Sequence, residues 1–290
     1  MLLATQTDLL SHLYGDFEMV RMLKEAGFDG IDYSMFPLTA PNHPLLEDNW
    51  EETARALRAH ADSLGIPFVQ GHAPFSFRDR SPDGWKNYNY FRIVRSIEVA
   101  GVLGIKELIV HPLQFLPYKQ NVQTLHDYNM EFFAALLPHA KKAGVRICLE
   151  NMWQRNPKRG NLITHSTCSR AEEAAAWVDE LNDSSIGYCL DLGHCGLVEL
   201  DAADEIRTLG HRLTALHVHD NDFMADQHIL PYQGHADWTA ILTALREVGY
   251  TGAFTFEADN FLRQVPQAVI PSALKLMAEV GRYMIAQIEG

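Results

Sequence analysis

VRICLE at residues 145–150 sets the pattern on which the fold prediction rests. It is a short apolar run, typical of a buried strand, that closes on a polar residue, Glu150. Seven further runs of this kind occur, and five of them also close on a histidine or an acidic residue. They are LLAT (2–5), DGIDYS (29–34), IPFVQGH (66–72), KELIVH (106–111), IGYCLD (186–191), LTALHVHD (213–220) and GAFTFE (252–257). The sequence therefore predicts eight strands.

Helical patterns separate these strands. Ser169 and Glu172 form an S-x-x-E pattern, which predicts a capping box at the start of a helix over 170–181. Further helices are predicted over 47–65, 85–103, 237–249 and 266–287. The last of these follows the eighth strand, so we expect it to pack on the outside of the fold.

The polar residues that close the strands recur at a nearly constant spacing. Taken at positions 72, 111, 150, 191, 217 and 257, they lie 39, 39, 41, 26 and 40 residues apart. Strands alternating with helices imply a parallel sheet covered by helices. The spacing predicts an α/β fold, a single (β/α)8 TIM barrel with an extra C-terminal helix, as one domain over 1–290. An open doubly wound sheet is the alternative, but no G-x-G-x-x-G follows the first strand.

Composition restricts the classes of function. The 290 residues are 47% hydrophobic and 21% charged, which is typical of a soluble globular protein. The net charge of −13, without a basic run, makes a nucleic-acid partner unlikely on electrostatic grounds. No basic leader or long apolar stretch is present, and the four cysteines form no CxxC pair. We therefore expect a cytoplasmic protein without membrane partners, and a homo-oligomer is left open.

Side chains at the carboxyl ends of barrel strands meet at one mouth. Those expected there are His72, His111, Glu150, Asp191, His217, His219 and Glu257. Any one of them alone would more simply cap a helix or satisfy a loop. Together, buried imidazoles and carboxylates would repel or lie unpaired unless a cation held them. The pattern predicts a divalent-metal site.

The identity of the metal stays open at this stage. Imidazole with carboxylate suits Mn²⁺ and Zn²⁺ first, with Co²⁺, Fe²⁺ and Mg²⁺ as alternatives, and no cysteine converges on the site. Three further ligand candidates are His194, three residues after Asp191, and the D-x-H pair Asp226 and His228. The D-x-H pair alone is equally consistent with a solvated loop, because short motifs often match by chance.

Several short segments together resemble the xylose-isomerase-like TIM-barrel superfamily. They are GHAPF (71–75), VHP (110–112), LEN (149–151), LDLGH (190–194), HVHDND (217–222), the D-x-H at 226–228 and FEADN (256–260). This superfamily contains sugar phosphate isomerases and epimerases, ketose 3-epimerases, inosose dehydratases and endonuclease-IV-type AP endonucleases. The resemblance covers essentially the whole chain and is more specific for the superfamily than for any member.

The resemblance implies two alternative sets of metal ligands. The ketose epimerase pattern places a metal on Glu150, Asp191, His217 and Glu257, with the two glutamates as catalytic proton carriers. The endonuclease pattern adds further ligands for a multinuclear zinc site, namely His72, His111, His194, Asp226 and His228. His219 points the same way as His217 on a strand, so the choice between these two as ligand stays open.

These observations predict a divalent-metal-dependent isomerase or epimerase of a sugar or sugar phosphate, working through an enediolate. Trp153, Arg155 and His219 are expected to contact this small-molecule substrate. An indole ring can pack on sugar C–H groups, and Arg155 with Lys158 and Arg159 can hold a phosphate. The alternatives are a zinc-dependent endonuclease-IV-like phosphodiesterase and a keto-polyol dehydratase or lyase. A barrel kept only as a binding module would not need the full ligand set.

Overall fold

The computed structural model describes residues 1–75 and 88–290. The strands in these ranges are β1 (Leu3–Thr5), β2 (Ile31–Ser34), β3 (Phe68–His72), β4 (Glu107–Ile109), β5 (Arg146–Glu150), β6 (Trp153–Asn156), β7 (Leu162–His165), β8 (Ile186–Asp191), β9 (Leu213–His217) and β10 (Phe254–Phe256). Eight of them lie where the sequence predicts strands, and most are a little shorter than predicted.

The helices fill the intervals between these strands. They are α1 (Asp8–Tyr14), α2 (Asp16–Ala26), α3 (Trp50–Leu64), α4 (Tyr88–Leu103), α5 (Val122–Ala143), α6 (Ala171–Leu181), α7 (Leu192–Leu197), α8 (Ala202–Leu209), α9 (Trp238–Glu247), α10 (Asp259–Arg263) and α11 (Ile270–Glu289). The predicted helix over 85–103 corresponds to α4, and its first three residues lie outside the described ranges. Among the described helices, none is long and apolar enough to cross a bilayer.

Parallel pairing joins eight strands into a ring. β2, β3, β4, β5, β8 and β9 form a six-stranded parallel sheet, and β1 pairs in parallel with β10. One parallel bridge at each edge connects the two pieces, from Gln6 to Asp32 and from Val218 to Phe256. The predicted barrel is confirmed, and its two weakest junctions flank the β1–β10 pair.

Alternation along the strands decides which side chains face the inside of the ring. On β5, Cys148 and Glu150 lie two residues apart and share the inward face. One layer below the strand ends, an apolar cluster fills the interior, and its members are Ile109, Cys148, Cys189 and Ala215. This cluster forms the floor beneath the polar side chains that close the strands.

The main core lies between the ring and the surrounding helices. The predicted C-terminal helix is α11, which packs on α9, α2 and β1 outside the ring and buries Leu274 and Met277. All four cysteines are buried and free. A buried thiol of this kind packs as a small apolar side chain.

Two local features differ from the predictions. The segment after β5, where the sequence pattern predicts neither a strand nor a helix, forms the antiparallel hairpin β6–β7. The capping box is wrong, because α6 begins without a side-chain cap. The Ser169 hydroxyl is buried and donates to the Ser166 backbone oxygen instead, and the carboxylate that accepts a nearby backbone N–H belongs to Glu173 rather than Glu172.

Candidate metal centre

The predicted ligands gather at the carboxyl end of the ring. His72, Glu150, Asp191 and His217 are the last residues of β3, β5, β8 and β9, and Glu257 directly follows β10. Parallel strands run in the same direction, so their carboxyl ends meet at one mouth. All five side chains are buried. The fold therefore concentrates ionisable groups where water is largely excluded.

Glu150, Asp191, His217 and Glu257 form what we call the central quartet. Each residue offers one ligand atom, and these four atoms lie within 4.8 Å of one another. His217 Nδ1 lies 2.9 Å from Glu150 Oε1 and 3.1 Å from Glu257 Oε2. Of the two histidines left open by the sequence, His217 is therefore the one whose ring joins the quartet.

Burial and neighbouring imidazoles act in opposite directions on the two glutamates. Burial alone would raise the pKa of Glu150, but His217 and His111 outweigh it and hold this pKa well below its usual range. For Glu257 burial dominates over the opposing effect of His217 and raises the pKa to about 7. Before any cation binds, the two carboxyl groups therefore differ in proton affinity.

The donor set of the central quartet fits a divalent cation. Three carboxylates this close together repel, and burial removes the water that would screen them. A protonated His217 would offset only one of the three negative charges and would have no lone pair for a metal. A divalent cation would offset two of these charges and accept the lone pair of a neutral imidazole, and a mixture of carboxylate and imidazole ligands suits Mn²⁺, Zn²⁺, Co²⁺ or Fe²⁺.

His72 and His111 extend the quartet beside Glu150. Glu150 Oε2 lies 3.5 Å from His72 Nε2 and 2.8 Å from His111 Nε2, and the two ring nitrogens are 3.1 Å apart. His72, Glu150 and His217 also form a second group that could hold a metal ion. Both histidines predicted from their strand ends thus lie next to the quartet.

A third group surrounds Asp226, in the loop after β9. Asp226 Oδ2 lies 3.3 Å from His194 Nε2, and Asp226 Oδ1 lies 3.3 Å from His228 Nε2. The His219 ring stacks on His228 with centroids 4.1 Å apart, and its Nε2 lies 2.9 Å from Asp191 Oδ1. The D-x-H pair is therefore part of the mouth, and all nine residues of the larger ligand set lie in one contiguous cluster.

Asn151 was not among the predicted site residues, yet it joins two strand ends. Its Nδ2 donates to the Asp191 backbone oxygen at 2.8 Å, and its Oδ1 accepts from the Asp191 backbone nitrogen at 2.7 Å. Its backbone oxygen accepts from His194 Nδ1 at 2.8 Å, which leaves His194 Nε2 facing Asp226. The available signal was a polar residue directly after Glu150.

A polar layer below the quartet was also missed. Asp32 on β2 is fully buried, and its Oδ2 accepts a hydrogen bond from Gln70 Nε2 at 3.1 Å. Gln70 Oε1 accepts from the Thr255 hydroxyl at 3.3 Å. His217 Nε2 faces this layer. The signal in the sequence was the position of Asp32, forty residues before His72 in the strand period.

The three residues predicted to contact a substrate occupy different environments. Trp153 begins β6, and its Nε1 donates to Asp226 Oδ2 at 3.2 Å. Arg155 is exposed on the same hairpin, with its guanidinium carbon 5.6 Å from the centre of the Trp153 ring. His219, in contrast, is fully buried among the candidate ligands. The hairpin is thus tied to the mouth, whereas His219 lies behind it.

Two phenylalanines line the mouth beside His72. The rings of Phe36 and Phe75 are stacked with centroids 4.4 Å apart, and Phe36 meets the His72 ring edge-on at 4.7 Å. Phe75 is 44% exposed, so this aromatic pair can meet a ligand. Phe75 ends the GHAPF segment of the sequence, whereas Phe36, which follows β2 in a short 3₁₀ turn, lies outside the segments that carry the resemblance.

A family model described as Xylose isomerase-like TIM barrel matches residues 20–280. The chain belongs to this family. The match spans most of the chain, from α2 to α11, and confirms the resemblance drawn from the strand-end motifs.

Curated relatives of this family member include both named and unnamed proteins. An uncharacterized protein of Sinorhizobium fredii is 25% identical over 256 residues, covering 81% of this chain and 78% of that protein. A D-psicose 3-epimerase of Enterocloster bolteae is 36% identical over 92 residues, covering 32% of this chain and 28% of that protein. The relatives with named activities are epimerases and an isomerase, which supports an enzyme of that class.

Solved structures agree on the fold. The crystal structure of a D-tagatose 3-epimerase-like protein superimposes with a TM-score of 0.77 and 20% sequence identity. The superposition covers 100% of this chain and 98% of that one. At this identity the likeness establishes the fold alone.

Proposed function

We propose that this family member is a divalent-metal-dependent isomerase or epimerase of a sugar or sugar phosphate. The observation that carries the proposal is the pair of buried glutamates, Glu150 and Glu257, on either side of His217 Nδ1 within the central quartet. Named relatives that are sugar epimerases support the same class. A cytoplasmic location remains an expectation from the sequence.

The strand order supports proton transfer on two sides of a bound sugar. In the ring, β8 and β9 separate β5, which carries Glu150, from β10, which precedes Glu257. One carboxylate oxygen takes the proton from the carbon beside the carbonyl. The other glutamate, entering the turnover protonated, returns a proton to the opposite face or to the neighbouring carbon. A divalent cation held by the quartet would supply polarisation of the substrate carbonyl.

Contacts outside the quartet complete the proposal. Trp153 offers a ring face to sugar C–H groups, and Arg155 offers a cation to a phosphate on the substrate. Phe36 and Phe75 offer a second apolar wall. For His219 we propose a different role from the predicted one, because a fully buried ring bonded to Asp191 orients a ligand instead of touching a substrate.

Solvent-deuterium exchange tests the proposed chemistry. The metal-loaded protein in D₂O is expected to place deuterium beside the carbonyl of at least one member of a panel of ketoses and their phosphates. E150Q and E257Q should each slow this exchange by about 10²–10⁴-fold. Glu173 lies outside the site and accepts a hydrogen bond from the Cys168 backbone nitrogen, which a glutamine oxygen can also accept. E173Q should therefore leave the exchange rate unchanged. A metal-loaded protein that exchanges no member of the panel contradicts the proposal.

A second candidate is a phosphodiesterase with several zinc ions. It is favoured by the two further ligand groups, around His72 with Glu150 and around Asp226, which a one-metal isomerase does not need. The net charge of −13 opposes it, because a nucleic-acid substrate favours a basic surface. Three zinc ions per chain with metal-dependent nicking of an abasic-site duplex would favour this candidate. Loss of water from a keto-polyol would instead indicate a dehydratase or lyase.

A further inference from the structure

His217 turns one ring nitrogen toward the central quartet and the other away from it. Nδ1 lies within 3.1 Å of Glu150 and Glu257, whereas Nε2 points down into the ring, 3.8 Å from Asp32 Oδ2. In the described part of the chain, neither His217 Nε2 nor Asp32 Oδ1 has a hydrogen-bond partner. Both residues are fully buried. The carboxylate therefore faces the outer ring nitrogen of His217 and keeps one oxygen, Oδ1, free to accept from it.

Gln70 and Thr255 hold Asp32 in this position through a chain of hydrogen bonds. Gln70 Nε2 donates to Asp32 Oδ2 at 3.1 Å and to the Leu216 backbone oxygen at 3.3 Å. Thr255 in turn donates to Gln70 Oε1, so the layer connects strands on opposite sides of the ring. Among the described residues, the one ion pair recorded for Asp32 is that with His217. A buried carboxylate is unfavourable unless it is paired, so its presence here calls for a partner.

One other group borders the same ring. The thiol of Cys189, in the apolar floor on β8, interacts with the His217 imidazole. Sulfur is a weak hydrogen-bond acceptor and carries no charge as a thiol. A carboxylate is the stronger partner for a ring N–H, so the orientation of His217 depends on Asp32 more than on Cys189.

We propose that Asp32 is a positioning residue for the metal centre. It places the ring proton of His217 on Nε2 and so leaves the Nδ1 lone pair directed at the quartet. The inference rests on the proposed metal-dependent function. In metal sites, a carboxylate that accepts the outer N–H of a ligating histidine fixes the tautomer and the ring orientation, and its loss typically weakens metal binding by about 10–100-fold.

Metal affinity of full-length variants tests this role. D32N preserves the side-chain shape but replaces a charged acceptor with an amide. We expect the Mn²⁺ dissociation constant of D32N to rise by about 10–100-fold, and the visible absorption of the Co²⁺-loaded protein to shift. C189A removes the competing thiol and leaves Asp32 and Gln70 in place. This control should bind Mn²⁺ as the unsubstituted protein does.

The outcomes separate this inference from the proposed function. If the unsubstituted protein binds no metal, the proposed function fails and the inference fails with it. If it binds metal and D32N binds equally well, or if C189A loses the affinity instead, only the role of Asp32 is overturned. Thermal unfolding of metal-free D32N shows whether a weakened site reflects general unfolding.

A measurement on the unsubstituted protein covers the case in which D32N does not fold. With ¹¹³Cd²⁺ bound to protein carrying ¹⁵N-labelled histidine, the proposal predicts cadmium coupling to His217 Nδ1 and an attached proton on Nε2. Coupling of the metal to Nε2 would overturn it, because Asp32 would then have no N–H to accept.

Discussion

Asn151 holds the end of β8 against the end of β5 through one side chain. It is buried and makes two hydrogen bonds to the Asp191 backbone. N151A leaves these two buried groups unpaired, which should lower the free energy of unfolding by about 1–3 kcal/mol. Since Asp191 is a proposed ligand, we also expect weaker metal binding. Urea unfolding and metal titration of the same variant measure the two effects.

Asn129 offers a matched control for this prediction. It is equally buried and makes the same kind of clamp, on the backbone of Leu113, which is not a proposed ligand. N129A should therefore lose a similar amount of stability and keep its metal affinity. Equal loss of metal affinity in N129A and N151A would show that Asn151 acts only through general stability.

Gly193 in α7 leaves room for the His219 ring. A Cβ atom at this position would lie 2.1 Å from His219 Cε1 and 2.5 Å from its Nδ1. The ring cannot move without leaving its contact with Asp191 or its stack on His228. We expect G193A to lower the unfolding free energy by about 1–3 kcal/mol and to weaken metal binding, both measured on the purified variant.

Gly196 provides the control in the same helix. Its added Cβ would meet the ring of Phe223, which is 39% exposed and free to swing into solvent. G196A should therefore change stability little and leave metal binding intact. A G193A protein that binds metal as well as G196A would contradict the proposed role of His219.

At the scale of elements, α11 is tied to the amino-terminal face of the barrel. Arg282 donates to both carboxylate oxygens of Asp29 and to the Gly27 backbone oxygen, and Asp29 also accepts from the Leu3 backbone nitrogen. Burial tends to raise the pKa of Asp29, but Arg282 and the Leu3 amide outweigh it and lower this pKa. The pair therefore links the last helix to β1 and to the segment before β2.

The lowered pKa sets the sign of a pH effect. A carboxyl group of this kind stabilises the fold above its unfolded pKa of about 3.9 and loses that contribution as the pH falls through its folded value. We expect R282A to lower the unfolding free energy by about 0.5–1 kcal/mol at pH 7, with a smaller difference from the unsubstituted protein in acid. Urea unfolding of both proteins at several pH values in this range measures the difference in unfolding free energy. A difference that does not depend on pH would indicate lost packing by Arg282, not lost charge pairing.

The barrel strands could be predicted because each is an apolar run with a polar end. The hairpin β6–β7 could not, since its strands are partly exposed and WQRN and LITH lack a continuous apolar run. The capping box failed because a motif within one helix start does not reveal that the Ser169 hydroxyl is buried against Ser166. Elements whose sequence pattern is set by burial in the ring could thus be predicted, whereas contacts between loops could not.

The ligand residues could be predicted for the same reason, because strand ends share one edge of a parallel ring. Asp32 and Gln70 escaped prediction because they lie one layer deeper, and a polar residue within a strand does not show by itself that it faces the inside of the ring. His217 could be distinguished from His219 only in three dimensions, since both follow the same alternation along β9 and its extension. The sequence pattern does not show how deep inside the ring a side chain lies.

At the scale of the whole molecule, residues far apart in the chain close one ring. β1 pairs with β10, so the two ends of the described chain support the same site. A single domain over 1–290 stays a prediction. The chain carries a net charge of −13, and the mouth contains the three carboxylates of the central quartet. Both favour a cation at this position.

Calorimetric titration of metal-free protein with Mn²⁺ and Zn²⁺ examines that cation site itself. We predict saturable binding of at least one ion per chain, lost in D191N although the variant keeps its helical circular dichroism. D201N, at the N-cap of α8 where Asn is an equally good cap, should bind as the unsubstituted protein does. A folded, metal-free protein that binds neither ion, or a D191N protein that binds as tightly as D201N, would contradict a metal centre built on the central quartet.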